Sequence, residues 1–122
     1  EVRDEMIMGV ESIRKITGEA PKFIRPPHGF KDYEVIEQAE NLGLTVVNWD
    51  VIPRDWTNPG TEKIVSRVIE KVKPGSVILL HDGDSPANSG SREQTVQALP
   101  KIIDQLRADG YSFVTIEELQ AK

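Results

Sequence analysis

No cysteine occurs among the 122 residues, so neither a disulfide framework nor a thiolate metal site can be built. A thiol-free chain suits the cytosol and the cell exterior equally, so this absence leaves the redox compartment open. Positive charge is also in short supply. Fifteen Lys and Arg stand against twenty Asp and Glu, a net charge of −5, so the basic patch of a nucleic-acid binder is missing. No apolar run approaches the ~18 residues of a membrane-span candidate. Only two histidines are present, and they lie far apart, which excludes a local HxxH or HxxxH metal pair within this chain. There is no leader-like apolar stretch, and the chain opens on Glu1, so it reads as a fragment or a processed product. What remains is 38% hydrophobic and 29% charged, the composition of a soluble globular protein with length for one domain, residues 1–122.

The hydrophobic pattern alternates between two periods. Val2, Met6, Val10, Ile13 and Ile16 recur at three and four, predicting a helix over 2–17 that Gly18 stops. A short strand follows at 22–25. Asp32 is placed to cap a second helix with Val35, Ile36, Ala39 and Leu42 on one side and Gly43 at its end. Residues 44–49, LTVVNW, are β-branched and read as a strand. Thr61 is expected to cap a third helix that turns Ile64, Val65, Val68, Ile69 and Val72 inward until Pro74-Gly75. SVILL (76–80) reads as a third strand, YSFVTI (111–116) as a fourth, and a short last helix begins near Glu117. The helix between them, 92–109, contains Pro100, which is expected to kink or break it. Strands alternating with helices imply an α/β fold with parallel strands and right-handed crossovers. The strands are apolar on both faces, as covered parallel strands are.

Ligands of such folds bind at the carboxyl ends of the strands. The chemistry-bearing residues gather there. RPPHG (25–29) follows the first strand, DVIPRDW (50–56) the second, and His81-Asp82-Gly83 the third, whereas the opposite loops are plain turn sequence. Each residue has a plainer reading. His81 could be a hydrogen-bonded loop residue, Arg25 the partner of a nearby carboxylate, and Asp55, Asp82 and Asp84 caps of turns. Trp49 reads as core. Trp56, in a polar Pro-rich loop, reads more naturally as a platform for a sugar or another flat ligand.

Taken in order, FIRPPHG, WDVIPRDW and VILLHDG resemble three motifs of the polysaccharide deacetylases of carbohydrate esterase family 4, the NodB-homology domain. The flanking helices are similar too, so the resemblance covers essentially the whole chain. It implies a distorted (β/α)7-type barrel of which this chain offers four strands, resembling the C-terminal half. The family's T-F-D-D and H-x-x-x-H motifs, which supply the catalytic base and the ligands of a divalent metal, commonly zinc, are absent from this sequence and would lie upstream.

The resemblance also implies roles. Arg25 matches the arginine that holds the catalytic aspartate of the absent half. The backbone N–H of His28 matches the oxyanion donor; relatives mostly carry Tyr there, and a main-chain donor survives the change. Asp55 matches the carboxylate that orients the catalytic histidine, and His81 matches the general acid. Trp56 and Pro27 match the groove wall and Leu79 the floor of the acetyl pocket. Ile52 stands where the motif DxxDW often opens on aspartate.

The implied activity is metal-dependent removal of acetyl groups from an N-acetylglucosamine polymer such as peptidoglycan or chitin, outside the cell or at its wall. This chain, with no metal ligands of its own and exposed sheet edges, is expected to be inactive until the N-terminal half, as a second chain or a cleaved segment, completes it. The alternatives are a xylan O-acetyl esterase of the same family, a noncatalytic glycan-binding module, and an open flavodoxin-like sheet. The last is disfavoured because no phosphate-binding glycine loop follows any strand.

Overall fold

A computed structural model describes residues 1–29, 32–83 and 90–121. The chain divides into two compact units, Glu1–Asn48 and Trp49–Lys122.

The first unit opens with helix α1 (Val2–Thr17), which Gly18 ends in the left-handed conformation (φ 83°), its N–H donating to the Arg14 carbonyl at 2.8 Å. The expected inward stripe is only partly used. Val2, Met6 and Val10 are half-buried, but Ile13 and Ile16 are exposed, Ile16 to 85%. Strand β1 (Phe23–Ile24), a 3₁₀ turn (Pro27–Gly29), helix α2 (Tyr33–Asn41) and strand β2 (Thr45–Val46) follow. Asp32 caps α2 as its sequence suggests, its side chain accepting the Val35 N–H at 2.9 Å. β1 and β2 pair in parallel, Phe23 opposite Thr45 and Ile24 opposite Val46. α2 is the crossover that a parallel pair requires. Val35, Ala39 and Leu44 are the buried residues of this unit's apolar centre.

The second unit holds a 3₁₀ turn (Asp55–Thr57), helices α3 (Thr61–Ile69), α4 (Glu93–Ala108) and α5 (Ile116–Gln120), and one parallel bridge, Val51 to Ile78. Its core is Val51, Ile64, Val68, Ala98, Ile102 and Leu106, with Ile78, Leu80 and Tyr111 packed around it. The α3 residues in this core, Ile64 and Val68, are four apart, and so are successive α4 residues, Ala98, Ile102 and Leu106, so each helix buries one stripe against the other. Asp50 ties the bridged segments together: its carboxylate accepts the Val77 N–H at 2.6 Å and the Ser76 hydroxyl at 2.8 Å. Burial alone would raise the Asp50 pKa, but these two hydrogen bonds, together with its own backbone N–H and the Lys73 charge, outweigh it and hold the carboxyl below its ordinary value.

Four local expectations need correction. The strands at 44–49 and 76–80 shrink to β2 and a single bridge, because pairing reaches only Thr45, Val46, Val51 and Ile78. Residues 111–115 form no ladder among the described residues; an apolar segment becomes a strand only where a neighbour accepts its N–H groups. Thr61 is the first helical residue of α3 rather than its cap. Gly60 takes the cap position at φ 111°, ψ 139°, its N–H donating to Gln94 Oε1 at 2.7 Å, while the Thr61 hydroxyl meets Gln97 Oε1 at 3.0 Å. Pro100 does not break α4, which runs from Glu93 to Ala108. The carbonyl it leaves without a partner belongs to Val96, which is 69% exposed and open to water.

Candidate active site

Asp55 opens the 3₁₀ turn of the second unit, between two residues held in the left-handed region, Arg54 (φ 56°, ψ 45°) and Asn58 (φ 49°, ψ 55°). Non-glycine residues adopt this conformation only where surrounding bonds impose it. Here the Arg67 guanidinium donates to the Pro53 carbonyl at 2.9 Å and the Thr57 hydroxyl to the Arg54 carbonyl at 2.7 Å. Gly60 is fastened to Gln94 on α4. The turn therefore carries Asp55 inward, where it is fully buried (0% exposed), and leaves its neighbour Trp56 37% exposed.

A carboxylate in that position is tolerated only if donors surround it. Three do. His81 donates its backbone N–H to Asp55 Oδ2 at 2.8 Å, and its ring Nδ1 lies 2.8 Å from Asp55 Oδ1. The Thr95 hydroxyl donates to Oδ2 at 2.9 Å. An Asp carboxylate can only accept, so Nδ1 carries the proton and Nε2 is the ring's outward nitrogen. The His81 side chain is 34% exposed. The Trp56 ring meets it edge-on, 4.8 Å between centroids and 62° between planes, and the Arg54 guanidinium lies 5.6 Å from the Trp56 ring centre. The imidazole is thus clamped on one nitrogen, shielded on one side and presented on the other. This arrangement suits transfer of a proton at Nε2.

Leu79 donates its N–H to the Val51 carbonyl at 2.9 Å. Ile78 and Leu80 pack on the core, so alternation along the segment puts Leu79 and His81 together on its other face. Asp82 is exposed and makes no capping bond among the described residues, while Asp84 lies outside them.

The remaining candidates sit on the first unit. Arg25, just after β1, donates Nε–H to the Val47 carbonyl at 3.4 Å. Pro27 and His28 belong to the 3₁₀ turn, where His28 (φ 56°, ψ 11°) and Gly29 (φ 68°) are both left-handed and Gly29 N–H bonds the Pro26 carbonyl at 3.1 Å. Asp55, Trp56 and His81 are therefore gathered in one unit, and Arg25, Pro27 and His28 cluster in the other.

Thr95 escaped the sequence reading. Its signal was a polar residue at a buried position of α4, in register with Ala98, Ile102 and Leu106. No group of three or more His, Asp or Glu among the described residues is placed to hold a metal ion.

The family model for polysaccharide deacetylase matches residues 1–47. The chain is similar to a chitooligosaccharide deacetylase of Bradyrhizobium sp. strain ANU 289, 36% identical over 98% of this chain and 58% of that protein. It is also similar to a peptidoglycan-N-acetylglucosamine deacetylase of Bacillus cereus, 44% identical over 81% of this chain and 45% of that protein. Among solved structures, a peptidoglycan N-acetylglucosamine deacetylase superposes with a TM-score of 0.89 at 35% identity, over 97% of this chain and 53% of the other. A carbohydrate esterase family 4 pseudoenzyme from Bacillus anthracis superposes at 0.86 and 28% identity, over 98% and 39%. The chain spans about half the length of the curated relatives it matches.

Proposed function

Because the chain belongs to the polysaccharide deacetylases of carbohydrate esterase family 4 and folds as part of their (β/α)7-type barrel, we propose that it supplies the proton-donating side of an enzyme that removes acetyl groups from an N-acetylglucosamine polymer. The observation that carries this reading is the grip of the buried Asp55 carboxylate on both the backbone N–H and the ring Nδ1 of His81, at 2.8 Å each.

Hydrolysis of an acetamide places a water oxygen on the acetyl carbon, breaks the C–N bond and requires a proton on the departing nitrogen. His81 meets the last requirement. As imidazolium it holds two protons; Asp55 retains the one on Nδ1, and the one on Nε2 passes to the amine. Trp56 keeps bulk water from one side of the ring and offers an aromatic wall to the sugar. Leu79, on the same face as His81, floors the acetyl pocket, and Pro27 stiffens the wall of the groove. The main-chain N–H of His28 stabilises the tetrahedral oxyanion, a contribution of roughly 2.7–4 kcal/mol for one such donor. Arg25 positions the general base. That base and the ligands of a divalent cation, zinc in this reading, belong to the remainder of the domain, with which the chain assembles. When bound, the cation would activate the water and polarise the acetyl carbonyl.

The test uses the complete domain. His81→Ala should lower kcat on chito-oligosaccharide by roughly 10²–10⁴-fold, the usual weight of a general acid, while oligosaccharide affinity is kept. Unchanged turnover would remove His81 from the chemistry. Likeness to a family 4 pseudoenzyme favours one second reading, a glycan-binding module that keeps Trp56 and the groove. Its signature is binding without release of acetate by the unmutated protein.

A further inference from the structure

Thr95 lies at 6% exposure in the first turn of α4 and heads the buried stripe Thr95, Ala98, Ile102 and Leu106. A valine would fill that position with nearly the same shape, so the hydroxyl needs a reason. A threonine near a helix N-terminus commonly spends its hydroxyl on nearby backbone groups. Thr95 instead donates to Asp55 Oδ2 at 2.9 Å, across forty residues of sequence. Its location is also enforced from outside. Gln94, the neighbouring residue, accepts the Gly60 N–H at 2.7 Å, and Gln97 meets the Thr61 hydroxyl at 3.0 Å, so the start of α4 is fastened to the loop that carries Asp55.

Torsion about the Cβ–Cγ bond of an aspartate is soft, with broad wells. The two bonds from His81 alone would let the carboxylate rock, since both arrive from one residue. A donor from a separate helix fixes the plane of the group. We propose that Thr95 is a positioning residue: by holding Oδ2 it sets the rotation at which Oδ1 faces His81 Nδ1, and so selects the tautomer that leaves Nε2 outward. This inference rests on the proposed role of His81 and deepens it.

The experiment follows the imidazole itself. In the 122-residue chain labelled with ¹⁵N-histidine, the ring nitrogens of neutral His81 should report the Nδ1–H tautomer. Thr95→Val should give a mixture with Nε2–H, and Thr95→Ser should restore the original pattern. In the complete domain, Thr95→Val should lower kcat about tenfold with KM little changed, on the order of one hydrogen bond to a charged group, and the serine variant should recover it. A Thr95→Val protein that melts earlier yet keeps the tautomer and kcat would show Thr95 to be a spacer only and overturn the proposal. Should the valine variant not fold, Thr95→Ser decides alone: a folded serine protein with a changed tautomer also overturns it. Because the tautomer is read without turnover, absence of acetate release by the unmutated protein would count against the deacetylase reading and leave this result standing.

Discussion

At the scale of single residues, two carboxylates carry opposite burdens. Asp55 is buried, and its worth lies in being surrounded by donors. Asp55→Asn keeps the shape but sets an NH₂ group against donors that had faced oxygen. It should lower the unfolding free energy by about 2–3 kcal/mol, the penalty of a broken charged hydrogen-bond cluster, and reduce kcat at the same time; urea unfolding and acetate release read the two effects. Asp50 is exposed, and the Ser76 and Val77 bonds hold its pKa below the ordinary 3.8 although burial pulls the other way. Its contribution is therefore fully present above that value and lost as pH falls below it through the folded-state value, because the unfolded chain takes up the proton first. Asp50→Asn should flatten the acid limb of a plot of urea midpoint against pH and leave the neutral region nearly unchanged. The sequence placed Asp55 and His81 at strand ends but paired them only through their resemblance to a family, because the twenty-five intervening residues carry no periodicity that pairs them. Thr95 left a fainter trace, a lone hydroxyl on a buried stripe.

At the scale of elements, helices were legible, whereas strands were legible in place at β1 and β2 but not in length. A helix closes its own hydrogen bonds, so α1 to α4 could be read from spacing, and Gly18 and Asp32 cap as their residue types suggest. A strand's bonds belong to its neighbour, which is why 76–80 and 111–116 looked like strands and form one bridge and no ladder. Pro100 was misjudged because the consequence of a helical proline depends on the surroundings of the orphaned carbonyl, and here it belongs to an exposed residue, Val96. Pro100→Ala restores a donor to Val96 and should raise stability, by up to about 3 kcal/mol, measured as a shift in the urea midpoint. Ile102→Ala, in the shared stripe of α3 and α4, should cost about 2–5 kcal/mol. α5 carries a full capping box, the Thr115 hydroxyl accepting Glu118 N–H at 3.2 Å and the Glu118 carboxylate accepting Thr115 N–H at 3.3 Å. That box anchors the end of a segment with no ladder.

At the scale of the molecule, each unit has its own apolar centre and its own unfinished surface. In the first, α1, β1 and α2 line an apolar groove of about 500 Å³ that includes Met6, Val10, Phe23 and Val35. In the second, Phe113 and Val114 are 47% and 40% exposed beside a groove of about 330 Å³. The N–H groups of Ser112, Phe113 and Val114 meet no acceptor among the described residues. These three amides should exchange with deuterium far faster than those of Ile102 and Leu106 in the core of α4. If the remainder of a barrel closes on this edge, adding it should slow their exchange, and unchanged rates would deny that assembly.

The turn that carries Asp55 has a consequence for how this protein can diversify. Between left-handed Arg54 and Asn58, the Asp55 side chain faces the interior, while its neighbours Arg54 and Trp56 are exposed. If the chain acts as proposed, exchanging Arg54 alters recognition of the polymer while Asp55, its donors and the Trp56–His81 contact are inherited intact. On that reading, recognition and reaction are open to separate selection.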